Sequence, residues 1–167
     1  PDDPLLRELQ AETRRLTGER AVMQIAPEEG TLLGVLVAAT GARRVVEVGS
    51  FTGYSALCTA RAPPSGGRLL ACDVSGAYTA VARRYWAKAG VADKVRFERR
   101  DLFETSLADA TVVTLYLLPG IVTKLVPKIF AEMKPGARVV SHDYPLAPWT
   151  PDRFVQFEAP EKEAISG

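Results

Sequence analysis

The chain has 167 residues, which suffice for one compact domain and are too few for two. Apolar residues make up 47% and charged residues 25%, as in an ordinary globular protein, and no apolar run approaches the ~20 residues of a membrane span. Lys and Arg number 21 against 20 acidic residues, so no net charge attracts nucleic acid or an anionic membrane, and we expect neither as a partner.

Two local features favour the cytoplasm. The first four residues, Pro-Asp-Asp-Pro, lack the basic and apolar regions of a signal peptide. Cys58 and Cys72 occur in apolar sequence without metal-ligand spacing, which indicates buried, reduced thiols. We therefore expect a cytoplasmic protein.

Two helices are predicted before the first strand. Residues 5–17 combine regularly spaced leucines with Glu and Arg, the pattern of an amphipathic helix. The chain is then predicted to be extended from residue 23, because Pro27 disfavours a helical conformation of the residue before it. A second helix follows, with Glu28 and Glu29 in its first turn and an end near Gly41. These helices, residues 1–41, form the predicted amino-terminal section.

The rest of the chain alternates short apolar or β-branched runs with helical stretches. This alternation predicts βαβ units and hence an α/β, Rossmann-like fold with a doubly wound, mostly parallel sheet. The core of this single domain covers residues 42–143, and the Pro-rich segment 144–167 is predicted to be an irregular tail with one weak strand near 154–157. Strands are predicted at 45–48, 68–72, 95–98, 111–116 and 137–141, and the helices between them at 54–61, 76–89 and 120–133.

Candidate ligand contacts follow the first three strands, at the edge where open α/β sheets bind their ligands. Gly49 lets the backbone turn sharply and approach a ligand, and Gly53 allows close passage at the start of the next helix. Asp73 ends the second strand, where its carboxylate suits two ribose hydroxyls. Asp101 and Leu102 follow the third strand, where they suit an adenine edge.

A carboxylate beside the glycines distinguishes two cofactors. Rossmann dehydrogenases use G-x-G-x-x-G, whose close glycines admit a pyrophosphate, whereas Ser50 and Phe51 fill that space here. Glu47 would repel a pyrophosphate but suits the cationic methionine end of S-adenosylmethionine (SAM). With an acidic residue 24 positions after Gly49, the pattern favours SAM as cofactor and S-adenosylhomocysteine (SAH) as product.

Four motifs carry a family resemblance over residues 5–96, more than half of the chain. They are Met23-Gln-Ile-Ala-Pro-Glu-Glu-Gly30, Glu47-Val-Gly-Ser-Phe-Thr-Gly-Tyr-Ser55, Cys72-Asp73 and Ala82-Arg-Arg-Tyr-Trp-Ala-Lys-Ala-Gly90. This part resembles the catechol and caffeoyl-CoA type O-methyltransferases, particularly their bacterial members. The resemblance implies a class I methyltransferase fold and a homodimer. It also implies SAM contacts at Glu47, Gly49, Ser50, Ser55, Asp73, Ile25 and Leu102.

The second half departs from that family's metal site. The family holds a divalent metal with Asp-x-Asp after strand four and Asp-Asn after strand five. Here strand four continues into Leu115-Tyr-Leu-Leu-Pro119, and strand five into Ser141-His-Asp143. One carboxylate, Asp143, is too few oxygen ligands for a hard cation, so we expect no metal.

Residues 101–149 resemble a different class I branch. The matching segments are Val112-Val-Thr-Leu-Tyr-Leu-Leu-Pro119, Lys134-Pro-Gly-Ala-Arg-Val-Val-Ser-His-Asp143 and Pro145-Leu-Ala-Pro-Trp149. They are similar to the small protein-lysine methyltransferases of mitochondrial type and their bacterial relatives. Those proteins continue to a final strand, for which this sequence shows no pattern. A natural recombinant, an engineered chimera and a truncated chain all remain open.

Residues near the ends of strands four and five are the candidates for catalysis. His142, the single histidine, is a candidate general base because imidazole exchanges a proton near neutral pH. Alternatively, His142 forms a hydrogen bond with nearby backbone. Asp143 either orients His142, pairs with an acceptor amine or caps the next turn. Tyr116 either meets the transferring methyl group or a lysine cation, or is a core residue. Tyr144 and Trp149 either line an acceptor pocket or cover the open end of the sheet.

Three functions follow from these alternatives. The first is SAM-dependent methylation of a small hydroxylated acceptor without the usual metal site, which the amino-terminal half favours. The second is lysine N-methylation of a protein, which the second half favours. The third is a SAM- or SAH-binding scaffold without turnover, as expected of a chimera or a truncation.

Overall fold

The computed structural model describes residues 3–142 and 144–156. Its strands are β1 (Arg44–Val48), β2 (Arg68–Asp73), β3 (Val95–Arg99), β4 (Val112–Leu115) and β5 (Arg138–Ser141). Its α-helices are α1 (Pro4–Thr17), α2 (Pro27–Thr40), α3 (Tyr54–Arg61), α4 (Gly76–Lys88) and α5 (Pro119–Glu132). Short 3-10 helices occupy Gly18–Met23 and Leu102–Glu104.

The five strands form one parallel sheet in the order β3-β2-β1-β4-β5. The chain winds outward from β1 in one direction to β3 and then crosses back to β4. The order therefore reverses between β1 and β4, where open α/β sheets bind ligands outside the carboxyl ends of their strands. The predicted α/β fold with a doubly wound parallel sheet is confirmed.

Two apolar clusters hold the helices on the sheet. The larger joins α1, α2, α3 and α4 to the first strands, with Leu9, Leu57, Leu69 and Tyr85 wholly buried. The smaller places α5 against β4 and the segment after β3. No single helix in the described part of the chain is long and apolar enough to span a membrane. The one pair that reaches this length together, Pro4–Met23 and Pro27–Thr40, is bent by 74°.

Besides shifts of one residue at other element ends, the structure differs from the sequence prediction at three places. A 3-10 helix at Gly18–Met23 precedes the extended entry to α2, and β4 ends at Leu115 rather than one residue later. The predicted weak strand near 154–157 is wrong for residues 154–156, which are irregular, and Phe157 lies outside the described residues. Phe154 and Val155 are 79% and 62% exposed, so packing of their apolar side chains does not stabilise a strand there.

The two cysteines have the environment that the sequence predicts. Cys72 is buried, Cys58 is half-buried, and both thiols are free. Burial raises the pKa of the Cys58 thiol to about 11, so the thiol stays protonated at neutral pH.

Candidate cofactor and acceptor site

The turn from β1 to α3 is held by hydrogen bonds from the neighbouring strand and from α1. Its first amide, on Gly49, donates to the Cys72 carbonyl at 2.9 Å, and the amide of Phe51 donates to Asp73 Oδ2 at 2.8 Å. On the other side, the hydroxyl of Thr52 lies 2.7 Å from that of Thr13 on α1. Both threonines are wholly buried, so α1 braces a turn that lies far from it in sequence.

The two glycines of this turn have different surroundings. Both have left-handed backbone conformations, with φ of 88° at Gly49 and 90° at Gly53. A Cβ at Gly49 would meet no atom within 4 Å, which leaves open space beside the backbone. A Cβ at Gly53 would lie 2.5 Å from Ala82 Cβ on α4. Gly49 thus faces space for a ligand, whereas Gly53 permits the contact between helix α3 and helix α4.

Glu47 places a buried carboxyl group next to the turn. Its Oε1 and the Oγ of Ser50 are buried and have no hydrogen-bond partner among the described residues. Burial raises the pKa of Glu47 from 4.5 to about 7; the nearby hydroxyls of Ser50 and Ser55 oppose this shift, and Asp73 adds to it. Such an arrangement suits a ligand that brings a positive charge and hydrogen-bond donors, because either would satisfy the carboxylate.

Asp73 has a structural role in addition to its predicted one. Its Oδ2 accepts from Phe51 as described, and its Oδ1 accepts from the amide of Ser75 at 2.7 Å. A carboxylate has about four acceptor sites, so Asp73 still has the capacity to accept from ligand hydroxyls. The side chain therefore fixes the turn and remains chemically suited to a ribose.

The other predicted cofactor residues lie in three further segments. Ser55 is in the first turn of α3, and Ile25 is buried just before α2. Asp101 is exposed, and its Oδ1 accepts from the amide of Phe103 at 2.7 Å. Leu102 lines an apolar recess with Val48 and Leu115, next to the carboxyl ends of β1 and β4.

Two predicted catalytic residues meet at the ends of β4 and β5. The backbone amide of His142 donates to Leu115 at 3.0 Å, which brings the His142 ring to 5.2 Å from the ring of Tyr116. Tyr116 is 43% exposed, so its interpretation as a core residue is wrong. Asp143 lies outside the described residues.

The sequence did not predict the third member of this cluster, Glu29 of α2. Its Oε1 lies 2.8 Å from His142 Nε2, and its Oε2 accepts from the amide of Ala26 at 2.7 Å. The second bond caps α2, and Pro27 followed by an acidic residue at the third helical position is a local signal for it. The contact with His142 joins residues far apart in sequence and left no local signal.

The two aromatic residues of the tail are placed differently from each other. The amide of Tyr144 donates to the His142 carbonyl at 2.7 Å, and the Tyr144 carbonyl accepts from the Ser141 hydroxyl at 2.6 Å. Trp149 lies with its ring 5.1 Å from that of Phe130, near the last turn of α5. Since α5 starts beside the site, Phe130 is about 16 Å along the helix axis from Pro119. Trp149 therefore does not line a pocket at the carboxyl ends of the strands.

The described residues contain no group of three or more His, Cys, Asp and Glu side chains that could hold a metal ion. After β4 and Tyr116 come Leu117 and Leu118, where no carboxylate is present. These apolar side chains supply no oxygen ligand to a hard cation.

Three features define a class I SAM-dependent methyltransferase fold. They are a parallel sheet with this strand order, an acidic residue before a glycine turn, and an aspartate at the end of the second strand. The family model described as O-methyltransferase matches residues 1–109. The chain belongs to this O-methyltransferase family.

Individual relatives span several kinds of methyltransferase. The chain is 45% identical over 96 residues to tricin synthase 2 of Oryza sativa subsp. japonica, covering 56% of this chain and 33% of that protein. It is 38% identical over 71 residues to a protein-lysine N-methyltransferase of Saccharolobus islandicus, covering 42% of this chain and 44% of that protein. The chain thus spans less than half the length of these relatives.

A solved structure shows the same fold over most of both chains. An RNA methyltransferase from Salinibacter ruber, in complex with S-adenosyl-L-homocysteine, is 36% identical, with a TM-score of 0.68. The match covers 80% of this chain and 87% of that one.

Proposed function

We propose that this chain binds SAM at the β1–α3 turn and transfers its methyl group to an acceptor at the ends of β4 and β5. The unpaired, buried Glu47 Oε1 beside the open space at Gly49 carries this proposal. Glu47 and Ser50 would hold the methionine end of SAM, and Asp73 would hold its ribose. When bound, SAM supplies an electrophilic methyl group on a positively charged sulfur.

The contribution of the protein to such a transfer is alignment and removal of a proton. The bonded turn fixes the donor end of the site, and alignment of donor and acceptor supplies much of the rate enhancement. His142 lies at the neighbouring strand ends, with its side chain 44% exposed and its ring beside Tyr116. It is thus accessible to an acceptor and is our candidate for the general base.

We propose a small hydroxylated molecule as the acceptor, methylated without a bound divalent metal. Membership of the O-methyltransferase family and the similarity to tricin synthase 2 support an oxygen nucleophile. The apolar pair after β4 supports a route that does not depend on metal, since a base such as His142 then takes over the activation of the hydroxyl.

A lysine side chain is the second candidate acceptor. The similarity to the protein-lysine N-methyltransferase of Saccharolobus islandicus supports it. So does the cluster itself, because the exposed ring of Tyr116 and the carboxylate of Glu29 would attract a cation. The same carboxylate would disfavour an anionic acceptor such as RNA.

A methyl-transfer screen with labelled SAM tests these proposals. Catechols, lysine peptides and RNA should be offered as acceptors, each with Mg²⁺ and with EDTA. We expect labelled catechols in both conditions, and a His142→Ala variant that binds SAH normally but is about 10²- to 10⁴-fold slower. Labelling of peptides instead would select the second candidate. A requirement for Mg²⁺ would contradict the metal-free route, and SAM binding without any labelled acceptor would favour a scaffold.

A further inference from the structure

The cluster at the acceptor end assigns a specific task to Glu29. We propose that Glu29 is a positioning residue that holds neutral His142 in the tautomer protonated at Nε2, which makes Nδ1 the nitrogen that takes the acceptor's proton. This inference rests on the proposed function, in which His142 is the base.

The two oxygens of the Glu29 carboxylate have separate partners. Oε2 accepts from the Ala26 amide at 2.7 Å, and a backbone amide can only donate. Oε1 lies 2.8 Å from His142 Nε2. An ionised carboxylate only accepts hydrogen bonds, so Nε2 has to carry a proton in this contact. The amide fixes the carboxylate, and the carboxylate in turn fixes the ring.

This arrangement determines how the proton moves. As the acceptor atom bonds to the methyl carbon, the carbon–sulfur electron pair returns to sulfur and the acceptor's proton passes to Nδ1 of His142. The imidazolium that forms is positive and lies against the negative Glu29, which stabilises it. The logic is that of a histidine oriented by a buried acid in hydrolases, with the two ring nitrogens exchanged.

The same carboxylate also connects the two ends of the site. Ala26 follows Ile25, a predicted cofactor contact, whereas His142 lies at the ends of β4 and β5, where the acceptor is proposed to bind. Glu29 therefore links the position of the chain before α2 to the orientation of the base.

Nitrogen NMR of the imidazole tests the inference directly, because His142 is the single histidine of the chain. In protein prepared without a histidine tag, at a pH where His142 is neutral, we expect the Nε2-protonated tautomer. Glu29→Gln keeps one oxygen for the Ala26 amide and turns an NH₂ group toward His142. Nε2 must then accept, so we expect a switch to the Nδ1-protonated tautomer and at least a tenfold loss of turnover.

Glu28→Gln is the matched control. Glu28 is exposed in the same first turn of α2, so this variant removes the same charge from the same helix end. We expect it to keep the wild-type tautomer and turnover. The amide spectrum and SAH affinity of each variant report whether its fold is intact.

Each outcome decides one of the two proposals. An Nδ1-protonated ring in the wild-type protein, or the same tautomer in wild type and Glu29→Gln, would overturn the role of Glu29 even if turnover is observed. A tautomer switch in a protein that methylates no acceptor would overturn the proposed function, while the contact itself would stand. A switch in Glu28→Gln as well would assign the effect to helix charge and refute the positioning role.

Discussion

The cofactor side and the acceptor side of the sheet are built differently. On the cofactor side, β1 and β2 pair along five residues, and the β1–α3 turn is bonded to β2 and to α1. On the acceptor side, β5 lies at the edge of the sheet that the described residues form and has no wholly buried residue, and Tyr116 and His142 are exposed. The family model likewise covers residues 1–109 and ends before β4.

This difference follows from what each side has to recognise. One donor serves the whole class, so the turn that would bind it can be rigid and fully packed. Acceptors vary, and variation is tolerated where side chains are exposed and constrain few neighbours. The contrast predicts that substitutions on the cofactor side strongly affect stability and SAM affinity. Substitutions on the acceptor side should affect turnover alone or have little effect on any of these quantities.

Gly53→Ala should have the largest effect on stability. The new Cβ would lie 2.5 Å from Ala82 Cβ and 2.9 Å from Ala82 Cα, so the backbones of α3 and α4 would have to separate. Overpacking and the left-handed conformation together should lower the free energy of unfolding by about 3–4 kcal/mol. Urea denaturation of the purified variant measures this change.

Two other glycines with positive φ provide the controls. Gly49 and Gly136 have φ of 88° and 86°, and a Cβ at either would meet nothing within 4 Å. Alanine at either position should lower the free energy of unfolding by only about 1–2 kcal/mol. Gly49→Ala should also weaken SAH binding, whereas Gly136→Ala should not. Equal losses of stability in all three variants would contradict the packing role of Gly53.

Glu47→Gln should have the next largest effect, which is a loss of affinity for the cofactor. The amide keeps the size of the side chain but loses the charge that would pair with the methionine ammonium. A charged hydrogen bond contributes about 1.5–3 kcal/mol, so SAM should bind about 10- to 100-fold more weakly in calorimetric titration. An unchanged dissociation constant would remove the main support for the proposed site.

The pH dependence of SAM binding should identify Glu47 independently. Below about pH 7 its carboxyl group is largely neutral in the free protein, so binding of a cationic ammonium has to displace a proton. SAM affinity should therefore rise with pH up to about 7, by at most tenfold per pH unit, and level off above it. In Glu47→Gln the same titration should be flat over this range.

The free energy of unfolding should fall with rising pH, in the opposite direction to SAM affinity. The folded pKa of about 7 lies above the ordinary value of 4.5, so burial of the neutral form favours folding below pH 4.5. That advantage is lost as the pH rises through 7. Relative to Glu47→Gln, the SAM-free wild-type protein should lose stability between these two values, and a constant difference would indicate an unperturbed carboxyl group.

The sequence predicted most of the structure around the β1–α3 turn because its signals are local. Alternating apolar runs and glycines specified the strands, helices and turns, and Glu47, Gly49 and Asp73 lie within or directly after predicted strands. The sequence assigned separate tasks to Gly49 and Gly53, but the partner of Gly53, Ala82 of α4, was not predictable because it lies in a distant segment.

The acceptor side was less predictable because its contacts join distant segments. Glu29 shows a capping pattern toward Ala26, but nothing local indicates that its second oxygen meets His142. Tyr116 was predicted to be the last residue of β4, but the strand ends one residue earlier. Strand ends are set by pairing with neighbouring strands and are hard to predict from sequence. Trp149 lies in a segment without periodicity, so its contact with Phe130 had no signal at all.

Trp149→Ala should have the smallest effect and is the sharpest test of where the acceptor side ends. Its ring is 55% exposed and packs on Phe130, which is itself 59% exposed. An aromatic pair contributes about 0.5–1.5 kcal/mol, and exposure places this one at the lower end of that range. Because Phe130 lies toward the far end of α5, turnover and SAH affinity should stay unchanged. A variant with normal stability and altered acceptor preference would show that the tail does line the acceptor pocket and would extend the acceptor side along α5.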